Sequence, residues 1–148
     1  MVKVLIVEDD LMIADAAEEV LVKSGYEVCG IARTVTDAVA LGRIHKPDLA
    51  VIDLRLADGG LGTDVPAQLC AERKRFGILY ATGNISHAML TDAEGDACLA
   101  KPYRSVDLLR SLELVAEIVA TGTASPPFPR GFRVLPSATA ARAELSHG

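Results

Sequence analysis

The chain has 148 residues, half of which are hydrophobic, and it contains few aromatic residues and no Trp. This length suits one domain with a sizeable core and a short appendage. The net charge of -5 at pH 7 argues against a general affinity for nucleic-acid phosphates, so we expect no direct DNA binding. No apolar run approaches the ~20 residues of a membrane-spanning helix and no signal-type stretch precedes the first strand, which makes the cytoplasm the default location.

Apolar runs and helical spacings alternate along the first third of the chain. A nearly continuous apolar run predicts a strand over residues 2–7. Apolar residues at helical spacing then predict a helix that ends near Gly25. A second strand over residues 27–32 and a second helix over residues 35–45 follow, and Pro47 closes that helix. The pattern is typical of repeated β-α units.

The same alternation continues beyond residue 48. The remaining predicted elements are a strand ending at Asp53, a helix over about residues 63–73, a strand over 78–81, a brief helix over 85–91, a strand over 97–100 and a last helix over about 105–120. Five β-α units predict an α/β fold with a doubly wound parallel sheet and helices on both faces. A flavodoxin-like strand order of 2-1-3-4-5 would bring the carboxyl ends of strands one and three to one crevice.

Carboxylates stand at the ends of these two strands. The apolar run over residues 50–54 predicts a strand buried on both faces, with Asp53 at its carboxyl end, and strand one ends in Glu8-Asp9-Asp10. Acids gathered at one spot repel each other unless a cation joins them, and Mg²⁺ is the hard ion that suits such ligands. Alternatively, Asp53 only caps the next loop, and the acids after strand one only favour a helix N-terminus, as we expect for Asp10.

Two further strand ends supply groups that complement the acids. Strand four runs into Thr82 and strand five into Lys101-Pro102. A hydroxyl and an ammonium beside carboxylates and a divalent ion can both contact the oxygens of a phosphoryl group. Each residue alone has a simpler explanation, since Thr82 could cap the brief helix and Lys101 could be a solvated loop residue. The joint occurrence of these groups at four strand ends is what favours a phosphoryl site.

Four stretches of the sequence match the signature stretches of a known family. They are VLIVEDD at residues 4–10, VIDL at 51–54, ATG at 81–83 and KPY at 101–103. On these stretches the chain resembles the receiver domain of bacterial two-component response regulators over about residues 1–122. The Tyr-Ala-Thr-Gly sequence at residues 80–83 also resembles that of a subgroup of single-domain receivers from α-proteobacteria. The resemblance implies a stand-alone receiver with the flavodoxin-like fold.

The resemblance also implies a role for each site residue. Asp53 would be the phosphoacceptor, Thr82 the switch hydroxyl and Lys101 the lysine that pairs with the phosphoryl group. The implied Mg²⁺ ligands are Glu8, Asp9, Asp53 and the backbone carbonyl of Arg55. The phosphoryl group would come from a histidine kinase or a histidine phosphotransfer protein, and the output would pass to a downstream protein. No enzyme activity is implied beyond Mg²⁺-assisted self-phosphorylation and autodephosphorylation.

The sequence departs from the family pattern at two places. Receivers usually carry an aromatic residue three positions before the lysine, whereas this chain has Cys98, and the loop over residues 56–62 is unusually rich in glycine. Two other functions stay open. A small Mg²⁺-dependent aspartyl phosphohydrolase would need a second acid two residues after the nucleophile, where this chain has Arg55. A degenerate receiver would act only as a docking module.

The composition changes after Gly122. Residues 123–148 are rich in Pro and Ala, carry three Arg and one Glu, and are predicted to form a flexible tail beside a receiver domain over residues 1–122. The last predicted helix carries more apolar residues than one buried stripe needs. We therefore expect a homodimer or partner interface through the fourth helix, fifth strand and fifth helix, centred on Leu114 and Ile118. In the alternative, the tail covers this strip with Phe128 and Phe132.

Overall fold

Six strands form a single sheet in the order β2-β1-β3-β4-β5-β6. The computed structural model describes residues 1–69, 76–83 and 95–136. The elements in these ranges are β1 (Lys3–Val7), α1 (Leu11–Lys23), β2 (Glu27–Ala32), α2 (Val35–His45), β3 (Leu49–Asp53), α3 (Asp64–Leu69), β4 (Gly77–Thr82), β5 (Ala97–Ala100), α4 (Ser105–Thr121) and β6 (Phe132–Val134). Among them, no helix is long and apolar enough to cross a membrane.

The first five strands are parallel, and their order confirms the predicted one. Because successive side chains of a strand point to opposite faces, the core divides into two clusters. Leu5 and Val7 of β1 belong to the cluster covered by α2 and α3, whereas Val4 and Ile6 belong to the cluster covered by α1 and α4. Helices on both faces explain why the strands are nearly continuous apolar runs.

Side-chain caps determine where the first two helices begin. The Asp10 carboxylate accepts hydrogen bonds from the Met12 and Ile13 amides at 3.0 and 3.4 Å, which is the helix-start role expected for it. Thr34 caps α2 in the same way through the Asp37 amide at 3.1 Å. These caps fix the direction in which each helix leaves the sheet, and therefore the path of the chain just after Glu8 and Asp9.

Two predicted helices fall partly or wholly outside the described residues. The helix predicted over residues 63–73 is present as α3, with Pro66 in its first turn, and its continuation beyond residue 69 is not among the described residues. The brief helix predicted over residues 85–91 lies outside them altogether. The helix predicted fifth in chain order is therefore α4.

Residues 123–136 differ from the predicted flexible tail. They return along α4 and end in β6, which pairs antiparallel with β5. Leu135 is fully buried in the cluster that contains Tyr80 and Cys98, and Phe132 packs against the opposite cluster. An antiparallel strand at this edge was not predicted. It forms because Leu135 packs into one apolar cluster and Phe132 packs against the other.

The predicted centre of a homodimer is wrong. Leu114 and Ile118 are 0% and 2% exposed, so neither can form an outward apolar patch. The physical reason is that α4 is enclosed on several sides, since it contacts β3, β4, β5 and α1, and the following chain returns along it. The edge of β5, which the same prediction assigned to an interface, is occupied by β6.

Candidate functional site

Three carboxylates meet where β1 and β3 end. The two strands are direct neighbours, with Val7 beside Ile52, so the residues that follow each of them share one crevice. One ligand oxygen from each of Glu8, Asp9 and Asp53 lies within 4.8 Å of the others. The parallel topology thus brings together the acids that the sequence separates by more than forty positions, as predicted from the strand ends.

Lys101 supplies the positive charge of this crevice. Its ammonium forms a short ion pair with Glu8 and lies 3.4 Å from Asp53 Oδ2. The Lys101 side chain is largely buried between these acids, so it is not a solvated loop lysine. Burial alone would lower the pKa of the ammonium, but the hydrogen bonds and charges of Glu8 and Asp53 outweigh it and raise that pKa. Lys101 therefore stays charged and screens the repulsion between the two acids.

Glu8 has the most perturbed acidity in the crevice. The residue is only 5% exposed, and this burial, together with the neighbouring Asp53, raises the pKa of its carboxyl group to about 7 against the opposing effect of Lys101. A carboxylate that is this costly to ionise gains from any additional cation nearby.

Thr82 lies on the strand next to Asp53. Asp53 pairs with Ala81 across β3 and β4, and Thr82, the last residue of β4, pairs with Ala100 of β5. The Lys101 amide donates to the Thr82 carbonyl at 2.9 Å, so the backbone of the lysine is bound to the backbone of the threonine. Thr82 is buried at the edge of the crevice. Whether it also caps the helix predicted over residues 85–91 falls outside the described residues.

The glycine-rich loop after β3 folds back on the acceptor strand. Arg55 forms an isolated antiparallel bridge with Leu61, and the Gly62 amide donates to the Leu54 carbonyl at 2.8 Å. The Gly62 Cα faces the backbone of Asp53 so closely that a Cβ there would clash with the Asp53 carbonyl oxygen. Gly62 is a positioning residue that the sequence analysis did not single out, although the run of glycines in this loop contained it.

An apolar groove opens beside Lys101, between α1 and α4. Its volume is about 470 Å³, and Ile13, Val20 and Tyr103 are among the residues that line it. Met12 lies at its rim with 84% of its surface exposed. Tyr103 also faces the charged crevice, and burial is the main cause that raises the pKa of its hydroxyl group. The groove therefore places an apolar surface directly next to the acids.

The donor set of the crevice fits Mg²⁺. Three carboxylates offer hard oxygen ligands within a few ångströms of one another, and Mg²⁺ prefers oxygen ligands and tolerates only a few from the protein. Burial and the neighbouring Asp53 raise the pKa of Glu8, and a cation bound between these carboxylates would oppose that effect. Glu8, Asp9 and Asp53 would therefore hold the ion. The role predicted for the Arg55 carbonyl as a further ligand stays a prediction.

Cys98 occupies the position where the resemblance leads one to expect an aromatic side chain. Its thiol is buried, and this burial raises the pKa of the thiol. Cys98 pairs with Arg133 across β5 and β6, and the Arg133 side chain hydrogen-bonds it. The environment of this position is thus built in part by residues of the segment that follows α4.

The family model described as the response regulator receiver domain matches residues 4–113. Apart from Lys3, the first residue of β1, this stretch contains the five parallel strands, and it contains the three carboxylates and Lys101. The chain belongs to the response regulator receiver family, the class of protein that its sheet and acidic crevice define.

Similar proteins carry regulatory names. The transcriptional regulatory protein PdtaR of Mycobacterium tuberculosis is 33% identical over 116 residues, which cover 76% of this chain and 55% of PdtaR. The phyllosphere-induced regulator PhyR of Methylorubrum extorquens is 41% identical over 63 residues, which cover 42% of this chain and 24% of PhyR. The chain spans about half the length of PdtaR, so the match supports a shared receiver domain and not a shared activity of whole proteins.

Solved structures agree with this assignment. A CheY-like receiver domain protein from Methanospirillum hungatei JF-1 has a TM-score of 0.72 and 28% identity, with 79% of this chain and 94% of that chain covered. The PhyR of Brucella abortus has a TM-score of 0.61 and 25% identity, with 80% of this chain and 51% of that chain covered. Both comparisons place the parallel sheet of this chain among receiver folds.

Proposed function

We propose that this chain is a phosphoacceptor receiver in which Asp53 accepts one phosphoryl group and thereby signals to a partner protein. The observation that carries the proposal is that one ammonium, that of Lys101, pairs at the same time with Glu8 and with Asp53. Such an arrangement holds a positive charge beside the acceptor oxygen, where the charge of a transferred phosphoryl group would appear. Membership of the receiver family supports the same conclusion.

The transfer forms one bond and breaks another. An Asp53 carboxylate oxygen attacks the phosphorus of a phosphohistidine, the new O–P bond gives an acyl phosphate, and the P–N bond breaks to leave the imidazole of the donor. In this proposal Lys101 neutralises charge on the phosphoryl oxygens, and the Thr82 hydroxyl contacts one of them. Mg²⁺ held by Glu8, Asp9 and Asp53 would supply further charge neutralisation.

The donor and the output partner would both be proteins. We assign the donor, a histidine kinase or a histidine phosphotransfer protein, to the apolar groove between α1 and α4, because this groove ends at Lys101. The exposed apolar side chain of Met12 on its rim suits contact with another protein. The downstream partner would be a protein that binds the chain differently when Asp53 is phosphorylated and when it is not.

An aspartyl phosphohydrolase is the less favoured function. That chemistry needs a general acid or base two residues after the nucleophile, and Arg55 occupies this position with an exposed side chain. Arg55 cannot act in this way, because a guanidinium stays protonated. The acyl phosphate on Asp53 is therefore expected to persist until water or a partner removes it.

The decisive experiment is incubation with acetyl phosphate and Mg²⁺, followed by measurement of the intact mass. We expect one added phosphoryl group that hydroxylamine removes and that is lost in Asp53→Asn. Asp58→Asn is the matched control, because Asp58 is an exposed aspartate of the following loop. A phosphoryl group that remains in Asp53→Asn, or no added mass in the unaltered chain, would refute the proposal. The second result is also the one expected of a degenerate receiver.

Metal binding is tested separately by thermal unfolding. Mg²⁺ should raise the unfolding midpoint of the unphosphorylated chain, because a ligand that binds only the native state stabilises it. Asp9→Ala should remove this rise, whereas Asp15→Ala, which alters an exposed aspartate of α1, should retain it. An equal rise in both variants would contradict the assignment of Asp9 as a ligand.

A further inference from the structure

The chain that follows α4 folds back on the domain and covers one edge of its sheet. We define residues 123–136 as the strap, which lies beyond the stretch matched by the receiver family. The strap ends in β6 and Leu135, and β6 pairs with β5 in an antiparallel register in which Cys98 faces Arg133. Without the strap, β5 would be the edge strand of the sheet and its backbone groups would be open to water or to another strand.

Polar contacts hold the first part of the strap to α4. The Arg110 guanidinium donates to the carbonyl oxygens of Ser125 at 2.8 Å and of Pro127 at 3.1 Å. About two turns further along the same helix, the Glu117 carboxylate accepts hydrogen bonds from the Ser125 amide and hydroxyl. All four bonds lie at the surface, so together they position the strap without making it difficult to detach.

Apolar contacts hold the second part. Leu135 is fully buried with Tyr80 and Cys98, and its amide donates to the Asp96 carbonyl at 3.0 Å. On the other face of the sheet, the rings of Phe128 and Phe132 stack with their centroids 5.8 Å apart. The strap is thus a defined structural element with one deep anchor, and its release would open a short stretch of sheet edge.

The strap meets the acidic crevice through two consecutive backbone amides. The Ala100 amide donates to the Gly131 carbonyl at 3.1 Å, and the next amide, that of Lys101, donates to the Thr82 carbonyl at 2.9 Å. The same Lys101 carries the ammonium that pairs with Asp53. The two peptide units that carry these amides meet at Ala100, so a displacement of the backbone there acts on the strap, on the Thr82 strand and on the charged crevice together.

We propose that attachment of the strap to β5 is linked to the state of Asp53, so that phosphorylation loosens the strap and uncovers the β5 edge. This proposal rests on the proposed function. A phosphoryl group on an Asp53 carboxylate oxygen would take up space beside the Lys101 ammonium, which lies 3.4 Å from Oδ2, and the ammonium must shift to contact the new oxygens. The shift pulls on the backbone at Ala100 and weakens its bond to Gly131. By linkage, loosening the strap must favour the phosphorylated form to the same extent.

Gly131 provides a variant that loosens the strap without touching the crevice. Its φ of +84° is a conformation that favours glycine, and a Cβ there would lie 3.0 Å from the Ala100 Cβ. Gly25 is the matched control, because its φ is +94° and a Cβ there would meet nothing within 4 Å. Gly131→Ala and Gly25→Ala thus carry the same backbone strain, and only the first disturbs the contact with β5.

The test combines intact mass with hydrogen exchange on the full chain. In chain shown by mass to be phosphorylated, the Leu135 and Ala100 amides should exchange faster than in unphosphorylated chain, by about fivefold or more. Conversely, with Mg²⁺ present, Gly131→Ala should bind beryllofluoride, a noncovalent substitute for the phosphoryl group, about fivefold more tightly than Gly25→Ala does. Phosphorylated chain with unchanged exchange would overturn the linkage alone. No phosphoryl group on Asp53 would overturn the proposed function and the linkage with it.

Discussion

Replacing Leu135 with Ala should destabilise the whole domain, although the residue lies outside the stretch that defines the family. The side chain is 0% exposed and packs with Tyr80 and Cys98, so the change removes about three buried carbon groups worth ~0.8 kcal/mol each. The cavity that remains adds to this loss, and comparable substitutions cost about 2–5 kcal/mol. The loss of stability cannot exceed the free energy of detaching the strap, because the strap can leave the sheet instead of staying in place around a cavity.

Urea unfolding followed by circular dichroism would measure this loss. Val134→Ala is the matched control, since Val134 is the preceding residue of the same segment and is 37% exposed. We expect Leu135→Ala to lower the free energy of unfolding by about 2 kcal/mol or more, and Val134→Ala to lower it by less than ~1 kcal/mol. Equal and small losses in both variants would show that the strap is not part of the cooperative unit, contrary to the argument from burial.

Two other measurements address the crevice. The pKa of Glu8 in the folded chain is raised from 4.5 to about 7, so the protonated carboxyl group stabilises the folded state at low pH, and this stabilisation is lost as the pH rises through about 7. In Mg²⁺-free buffer, Glu8→Gln should therefore gain stability relative to the unaltered chain by about 3 kcal/mol between pH 4.5 and 8, as measured by urea unfolding. A gap that does not change with pH would contradict this assignment. Gly62→Ala should lose about 2 kcal/mol or more in the same assay, because its Cβ would clash with the Asp53 carbonyl oxygen. Gly83→Ala should lose little, because a Cβ there would meet no atom of the described residues within 4 Å. Similar losses in the two variants would contradict the close approach of Gly62 to Asp53.

The position of the acidic crevice could be predicted because it depends on local patterns and one topological rule. Continuous apolar runs identify buried parallel strands, and parallel strands that neighbour each other bring their carboxyl ends together. The apolar runs together with the flavodoxin-like strand order were enough to bring Glu8 and Asp53 to one crevice. The bounds of β2, α2 and β5 likewise followed from their apolar patterns. The role of Asp10 as a helix cap was also available from its position before an apolar helix.

The strand at the end of the strap could not be predicted, because nothing local in its sequence requires one, although the sequence left open that the tail covers the last helix. Three residues, Phe132 to Val134, form β6, and the proline-rich stretch before them has the composition of a linker. Their conformation depends on Leu135 and Phe132 entering two apolar clusters formed by distant parts of the chain. An apolar helix face likewise does not reveal what covers it, which is why Leu114 and Ile118 were assigned to a dimer when they are buried within one chain.

Gly62 illustrates a second kind of limit. Its importance lies in the distance between its Cα and the backbone of Asp53, and this distance depends on how the intervening loop closes through Arg55 and Leu61. A glycine in a loop can serve a turn, a bulge or a close approach, and the sequence does not distinguish these. Only the folded loop separates Gly62 from its neighbours Gly59 and Gly60.

The order in which the chain is made gives the strap a second consequence. A ribosome releases β5 before it releases β6, so a nascent chain that has folded as far as α4 presents a bare strand edge for as long as residues 123–136 remain in the exit tunnel. Bare edges are the places where unrelated nascent chains join and aggregate.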